Sequence, residues 1–377
     1  MINFDNSATT YPKPPGVAPA VSKAVIHFGG NPGRSGHDIS MKVSNAVYAV
    51  RSRAADFFGA EPENTVFTQN ATLALNMAIK GIMQSGGHII ISSLEHNAVS
   101  RPVYALSKTG RVTYSVAEVS ENDDVTVENF KKLIKSDTRC ICCTAASNVT
   151  GKILPYKRIA ELCAERGICF ICDGAQAAGI LPLKLSDGFN FLCMSGHKGL
   201  YGPTGTGLLI SDGSFPLTPI IEGGTGATSS ELEQTDFLPE QLESGTLNTV
   251  GIIGLGEGIK FVKTTGIENI RRKEDKLCGI FLETLRRLKN VGIYRCDGAF
   301  APIVSFNIGD YSSQEVAGML NRKGFALRGG LQCAAVAHDF LGTTDRGVVR
   351  FSPSYFNTER QVMQLCRAVT DISKNAL

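Results

Sequence analysis

Short apolar runs alternate with amphipathic stretches from about residue 65, and this alternation constrains the fold more than any other feature of the 377-residue chain. The pattern is typical of β-α units that build a mostly parallel sheet. In chain order the apolar runs are TVFT (65–68), HIIIS (88–92), VTYSV (112–116), CICCTA (140–145), CFICD (169–173), FLCMS (191–195) and GLLI (207–210). The sequence therefore predicts an α/β protein whose large domain contains a mostly parallel, seven-stranded sheet.

A glycine-rich stretch, EGGTGATSSELEQ, interrupts this rhythm from Glu222. A long helical pattern then begins near Val250, and a strand around Ile303–Asn307 and a closing helix from Thr358 indicate a smaller α+β domain. We expect a large domain over residues 16–250 and a small domain over residues 251–377. Residues 1–15 are expected to pack with the small domain.

The charge of the chain is nearly balanced, with 38 Lys+Arg against 35 Asp+Glu and no block of like charges. Neither nucleic acid nor a membrane surface is indicated as a partner, so a small polar substrate is more natural. The opening MINFDNSATT lacks the basic stretch and the apolar core of a signal peptide, and no later segment reaches the ~18 apolar residues of a membrane span. We therefore expect a cytoplasmic protein.

Eleven cysteines form an odd set that suits reduced thiols better than a disulfide framework. Two C-x-x-C spacings, Cys140 to Cys143 and Cys169 to Cys172, resemble metal-binding or redox motifs. Both lie in apolar runs typical of strands, where residues three apart point to opposite faces of a sheet and cannot share a metal ion. We expect these cysteines to be buried core residues, and we expect no metal site.

Lys198, in MSGHKGLYGPTGTG, follows a predicted buried strand and precedes a glycine-rich turn. Asp173 closes a strand about one β-α unit upstream, so both side chains are expected at the edge where the carboxyl ends of the strands meet. Pyridoxal phosphate needs a lysine that binds its aldehyde covalently and a carboxylate beside its ring nitrogen. A helix cap is the alternative for Asp173, but it leaves Lys198 and Gln176 unexplained.

The chain resembles the fold-type I pyridoxal-phosphate enzymes, and among them the cysteine desulfurases of the class V aminotransferase group. The resemblance covers nearly the whole length, and its motifs keep their order and spacing. They are FDNSATT (4–10), TQNATLALN (68–76), SSLEHNAVSRP (92–102), ASNVTG (146–151), DGAQAAG (173–179), SGHKGLYGPTG (195–205), ESGTLNTVGIIGLG (243–256) and VVRFSPSYFNT (348–358).

The resemblance implies how the cofactor is held. His96 stacks on the ring and takes part in catalysis, Gln176 binds the phenolic oxygen, and Asp173 pairs with the ring nitrogen. Thr246 reaches the phosphate from a second subunit, which implies a homodimer. The remaining cofactor-binding residues are Ala71 and Thr72, at a helix N-terminus that suits an anion, together with Asn148, Ser195, His197 and Lys198.

For the substrate, the resemblance makes Arg350 the clamp for the amino-acid carboxylate, a task that suits a planar guanidinium. Asn148 assists this arginine, and Arg34 lines the mouth of the site. Cys333 matches the catalytic cysteine that takes the sulfur atom and becomes a persulfide. Relatives place histidine immediately before this cysteine, whereas this chain has Gln332. Glutamine exchanges no proton near neutral pH, so Gln332→His is expected to raise turnover if that histidine acts as an acid or base.

The leading hypothesis is that the chain converts L-cysteine to L-alanine and a Cys333 persulfide. The sulfur then passes to an acceptor protein for iron–sulfur cluster or thio-cofactor assembly. A selenocysteine lyase, or another lyase or transaminase of the group, is the alternative, and Cys333 favours the first because transamination needs no thiol. A third hypothesis is a non-catalytic sulfur-handling partner. The presence of Lys198, Asp173, His96 and Arg350 together argues against it.

Overall fold

A computed structural model gives the structure of the chain and describes residues 1–33, 36–295, 298–374 and 376. The strands are β1 (Ile2–Asn3), β2 (Thr65–Thr68), β3 (Gly87–Ser92), β4 (Val112–Ala117), β5 (Thr138–Thr144), β6 (Cys169–Asp173), β7 (Phe191–Ser195), β8 (Gly207–Ser211), β9 (Val291–Ile293), β10 (Val304–Ile308), β11 (Phe325–Ala326) and β12 (Val349–Phe351). The helices are α1 (Val17–His27), α2 (Asp38–Phe58), α3 (Ala71–Met83), α4 (Asn97–Ser107), α5 (Asp123–Lys132), α6 (Tyr156–Arg166), α7 (Thr249–Thr265), α8 (Ile267–Arg286), α9 (Ser313–Arg322), α10 (Ala335–Phe340) and α11 (Glu359–Lys374). Within these described ranges, no helix is both long and apolar enough to cross a membrane.

The central sheet has seven strands in the order β2-β8-β7-β6-β5-β3-β4. Strand β8 runs antiparallel to both of its neighbours, and the other neighbouring pairs are parallel. Strands β6, β7 and β8 are buried over their whole length, which is expected where helices cover both faces of a parallel sheet. The predicted α/β class and the seven predicted runs are therefore confirmed.

Two apolar cores lie on opposite faces of this sheet. Helices α3 and α4 cover one face, and α2, α6 and α7 cover the other. Cys140 and Cys169 belong to the first core, whereas Cys143 and Cys172 belong to the second. Both C-x-x-C spacings therefore span the sheet, as the alternation of side chains along a strand predicts.

A three-stranded antiparallel sheet of order β12-β10-β9 forms a third core with α8, α9 and α11. The N-terminal strand β1 pairs in parallel with β11, and Phe4 is buried in this core. Helix α7, at the expected start of the small domain, packs against α1 and α2. The exact domain boundaries stay a prediction.

The parallel strands bring their carboxyl ends to one edge of the central sheet, where α/β proteins usually bind ligands. Strand β6 ends there at Asp173 and β7 at Ser195, and both residues are buried. Residues 5–10 cross the same edge, because the amide of Asn6 bonds to the carbonyl of Ser352 and that of Thr10 to the carbonyl of His197. The edge is thus enclosed by segments distant in sequence.

Candidate active site

A pocket of about 260 Å³ opens at this edge of the sheet. Nine of the predicted cofactor-binding residues line it together. They are Ala71, Thr72, His96, Asn148, Asp173, Gln176, Ser195, His197 and Lys198. The tenth, Thr246, does not line this pocket. Its side chain is exposed and accepts a hydrogen bond from Asn31 Nδ2 at 3.2 Å.

Lys198 and Asp173 carry opposite charges at the inner end of the pocket. Burial lowers the pKa of Lys198 to about 8, and the nearby carboxylate of Asp173 opposes this shift. Burial raises the pKa of Asp173, while the amide of Ala175, which donates to Oδ1 at 2.9 Å, and the charge of Lys198 lower it. Each group therefore favours the charged form of the other, and this attraction offsets part of the solvation that both groups lose on burial.

Two histidines of the pocket are held in the neutral form. Burial lowers the pKa of His96 to about 4, and the cations Lys198, Arg328 and Arg350 add to the effect. His96 caps α4, because its Nδ1 accepts from the amide of Ala98 at 3.0 Å, so the ring hydrogen lies on Nε2. Burial also lowers the pKa of His197 to about 4. Its Nδ1 is buried without a hydrogen-bond partner among the described residues.

The N-terminus of α3 forms another wall of the pocket. Asn70 caps this helix by accepting a hydrogen bond from the amide of Leu73 at 2.9 Å. The amide of Ala71 donates to Ser195 Oγ at 3.3 Å, which joins the helix to the end of β7. Free amides and the helix dipole make such an end suitable for a phosphate group.

The N-terminal segment closes one side of the pocket. Gln176 Nε2 donates to the carbonyl of Ser7 at 3.0 Å, and Thr10 Oγ1 donates to the carbonyl of Lys198 at 3.1 Å. Lys13 Nζ also donates to the carbonyl of His197 at 2.8 Å. The N-terminal segment therefore holds in place the turn that carries Lys198, which we call the lysine turn.

Arg350, the predicted carboxylate clamp, lies on β12 with only 1% of its side chain exposed. Its Nη1 donates to the carbonyl of Asn148 at 3.1 Å, and its Nη2 donates to Asp5 Oδ1 at 2.7 Å. Its Nε is buried and has no partner within the described part of the chain. Arg34, the other predicted substrate residue, lies outside the described residues.

Cys333 is exposed on the loop between β11 and α10, and it lines a cleft that adjoins the pocket at His96. Arg328 Nη2 lies 3.0 Å from its sulfur, and its carbonyl accepts from the amide of Asn97 at 2.7 Å. The nine other described cysteines are buried. Burial raises the pKa of thiols such as Cys142 and Cys193 well above the usual value, so these cysteines are poor nucleophiles.

The side chain of Gln332 holds this loop in place by hydrogen bonds. Its side chain is buried, and its Nε2 donates to the carbonyls of Arg328 at 3.1 Å, Gly330 at 3.2 Å and Val348 at 3.0 Å. Gln332 and Cys333 have φ angles of 49° and 57°, so the loop contains two consecutive left-handed residues. The expectation that Gln332→His raises turnover is therefore revised, because the side chain points into the loop and supports its shape.

Sequence reasoning missed two residues of the site. Arg328 precedes Cys333 by five positions, and the basic residue in ALRGGLQC was the available signal. Asp5 lies in FDNSATT, which was recognised only as a motif, and nothing in the sequence indicated that it pairs with Arg350.

Comparison with known proteins places this geometry in a family. The family model "Aminotransferase class-V" matches residues 2–365. A probable cysteine desulfurase of Mycolicibacterium paratuberculosis is 30% identical over 99% of this chain and 56% of its own length. Probable cysteine desulfurase 1 of Mycobacterium leprae is 29% identical over 99% of this chain and 62% of its own length. The apo structure of a cysteine desulfurase from Thermococcus onnurineus is 28% identical, covers 100% of this chain and 95% of its own, and superposes with a TM-score of 0.93.

The chain thus spans less than two thirds of the length of both mycobacterial relatives. Pyridoxal phosphate is the cofactor of this family. The pocket fits that group, because it combines a lysine whose pKa is about 8, a buried carboxylate, an unpartnered histidine nitrogen and a helix N-terminus. The chain belongs to the class V aminotransferase family.

Proposed function

We propose that this protein is a pyridoxal-phosphate-dependent cysteine desulfurase. L-cysteine and the thiol of Cys333 give L-alanine and a persulfide on Cys333. The carbon–sulfur bond of the substrate breaks, and a sulfur–sulfur bond forms on the enzyme. The thiol hydrogen of Cys333 and the substrate protons are conserved between the two products, so no external oxidant is needed.

The observation that carries this proposal is the position of Cys333. It is exposed, it lies within hydrogen-bonding distance of a guanidinium, and its cleft meets the Lys198 pocket at His96. A thiolate is the reactive form of cysteine, and a neighbouring cation stabilises it. The pocket would bind and activate the amino-acid substrate, and Cys333 would accept its sulfur atom.

Lys198, Asp173 and His96 would hold the cofactor together with the N-terminus of α3. When bound, pyridoxal phosphate supplies an electron sink that weakens bonds at the substrate Cα and Cβ. Lys198 is suited to moving a proton at Cα, because an amine with a pKa of about 8 exchanges protons near neutral pH. Asp173 would favour a protonated ring nitrogen by its charge.

Arg350 and Asn148 would orient the substrate through its carboxylate. The unpartnered Nε of Arg350 is a donor that no described residue satisfies, and Asp5 fixes the plane of the guanidinium. Arg328 would hold the Cys333 sulfur by a hydrogen bond close to the mouth of the pocket. Arg350 would therefore bind the substrate, and Arg328 would position the nucleophile.

The test is alanine release from L-cysteine with dithiothreitol present, combined with mass spectrometry of the Cys333 peptide. We expect alanine and a sulfur adduct on Cys333, and Cys333→Ala should retain the cofactor and release no alanine. The same assay is repeated with L-selenocysteine as the substrate. If Cys333→Ala released alanine from L-selenocysteine at the parent rate, a selenocysteine lyase would be the better reading.

We further propose that the enzyme is a cytoplasmic homodimer that passes its sulfur to an acceptor protein. Thr246 supports the dimer, because it is exposed and outside the pocket of its own chain. The free thiols of all ten described cysteines suit a reducing compartment. Light scattering tests the dimer. Thr246→Ala alone should lose activity, and mixed assembly with Lys198→Ala subunits should restore it, because one shared site then has both residues. If the protein were a monomer, mixing would add no activity to that of the separate variants.

A further inference from the structure

A groove of about 440 Å³ leads from Cys333 to the surface between helices α3 and α4. We call it the α3–α4 groove. Cys333 and His96 lie at its inner end, and Thr72 and His96 also line the cofactor pocket, so the two cavities adjoin. The walls of the groove include Asn76 and Lys80 on α3, and Arg101 and Ala105 on α4.

The groove is positively charged along its length. Lys80 and Arg101 are charged members of its lining, which contains no carboxylate. Neither wall helix has an acidic residue, since α3 reads ATLALNMAIKGIM and α4 reads NAVSRPVYALS. Both helices begin near the inner end, where their dipoles add positive potential. A cleft lined by one sign of charge attracts ligands of the opposite sign.

Exposed apolar side chains lie on the segments that frame the groove. Tyr104 on α4 is 53% exposed, Leu331 beside Cys333 is 41% exposed, and Phe340 at the end of α10 is 42% exposed. Helix α10 packs against α4, so these segments form one side of the molecule. Aromatic and apolar residues beside a charged cleft are typical of a protein interface.

We infer that the α3–α4 groove docks an extended acidic segment of the sulfur-acceptor protein, with its acceptor cysteine at the inner end. This inference rests on the proposed desulfurase function. From Thr72 to Lys80 the wall is about 12 Å long at 1.5 Å per helical residue. An extended chain of three or four residues spans the same length. The groove is thus long enough for a cysteine flanked by acidic residues.

Sulfur transfer in this groove balances without a further reactant. The thiolate of the acceptor cysteine attacks the outer sulfur of the Cys333 persulfide. The sulfur–sulfur bond on Cys333 breaks as a new one forms on the acceptor. Cys333 leaves as a thiolate, and the proton that the acceptor thiol lost is recovered from solvent.

The test compares two synthetic acceptors, acetyl-EECEE-amide and acetyl-QQCQQ-amide, with the holoenzyme and L-cysteine. Mass spectrometry measures the second-order rate of persulfide appearance on each peptide at low ionic strength. We expect the acidic peptide to react at least about ten-fold faster, as for electrostatically steered association. The double variant Lys80→Glu/Arg101→Glu should abolish this preference, and so should high salt.

The matched control is Lys131→Glu/Lys132→Glu, which makes the same charge change on exposed residues of α5. It should keep the preference for the acidic peptide. Alanine release with the neutral reductant dithiothreitol should be unchanged in both double variants. Loss of alanine release by the parent enzyme would refute the desulfurase function itself. Normal alanine release with equal rates for the two peptides would refute only the proposal that the α3–α4 groove docks an acidic segment.

A second measurement needs no turnover. In the cofactor-free protein, the ratio of Cys333 alkylation by iodoacetate to that by iodoacetamide reports the local potential. Lys80→Glu/Arg101→Glu should lower this ratio several-fold, while the α5 control should not. If the groove is instead covered by a second copy of this chain, the charge reversal would change the oligomeric state in light scattering. That result would also overturn the proposal.

Discussion

The carboxylate of Asp5 lies 2.7 Å from the guanidinium of Arg350, and this ion pair joins residues 345 positions apart. Arg350 is almost completely buried, and burial lowers its pKa while Asp5 opposes this shift. A buried cation without a counter-ion is costly, so the position of Arg350, the predicted substrate clamp, depends on the N-terminal segment.

Asp5→Asn should therefore destabilise the protein by about 1.5–3 kcal/mol, the usual range for a hydrogen bond to a charged group. The variant keeps the shape of the side chain but removes its charge. Urea unfolding of the cofactor-free protein measures the change. Asp56→Asn is the control, because Asp56 pairs with Lys263 on the exposed surface and such pairs contribute little. Equal stability of Asp5→Asn and the parent would contradict the dependence.

Lys198→Ala should fold normally but bind pyridoxal phosphate only reversibly, because the covalent bond to the enzyme is lost. Borohydride reduction followed by peptide mass spectrometry locates the modified lysine. Lys13→Ala is the informative control, since burial also lowers the pKa of Lys13 to about 8 near the same turn. A reduced adduct on Lys13 in the parent protein would show that the assignment to Lys198 is wrong.

Arg328→Gln should slow alkylation of Cys333 by iodoacetamide at neutral pH. The guanidinium lies 3.0 Å from the sulfur, and its loss removes a cation and a hydrogen-bond donor beside the nucleophile. Even in water-like surroundings an interaction between two unit charges contributes about 1 kcal/mol, or about five-fold in rate. Arg328→Lys should recover part of the rate. An unchanged rate in Arg328→Gln would mean that the contact has no chemical effect.

Gln332→His should lower both the free energy of unfolding and the rate of alanine release. The carbonyl of Val348 loses its side-chain donor, while those of Arg328 and Gly330 still accept from backbone amides, and an unsatisfied buried polar group costs about 1–3 kcal/mol. Urea unfolding and steady-state alanine release measure the two effects. Gln84→His, at an exposed helix end, should be neutral. A rise in turnover of about ten-fold or more would instead restore an acid–base function for histidine here.

Glu274→Gln should make the protein less sensitive to pH. Burial raises the pKa of Glu274 from 4.5 to about 8, and Tyr201 donates to its Oε1 at 3.1 Å. The folded protein then holds a proton that the unfolded chain releases, so stability is lost as pH rises from about 4.5 through about 8. The parent should lose up to about 5 kcal/mol relative to Glu274→Gln across this window.

Urea unfolding at several pH values measures this difference, and other buried acids such as Glu95 cancel because both proteins contain them. Glu283→Gln, on the exposed side of α8, is the matched control and should follow the parent at every pH. Parallel curves for the parent and Glu274→Gln would mean that Glu274 is ionised in the folded protein.

The central sheet was predictable because its strands are continuous apolar runs that end in polar residues. Asp173 and Lys198 could be placed together for the same reason, since parallel strands align their carboxyl ends. Asp5 and Arg328 could not be predicted. Strands β1 and β11 contain two residues each and have no periodicity, so their pairing depends on tertiary contacts. The inward direction of Gln332 follows from left-handed backbone angles that could not be predicted from the sequence around it.

The pairing of the N-terminal segment with the last strand of the small sheet has a consequence for biosynthesis. Asn6 bonds to the carbonyl of Ser352, and Asp5 to Arg350, so these contacts can form only after residue 352 has left the ribosome. At about 5–20 residues per second, residues 5 and 6 wait on the order of tens of seconds for their partners. Throughout that interval Arg350, the predicted carboxylate clamp, has no counter-ion or is not yet made. The predicted clamp is therefore completed only at the end of synthesis.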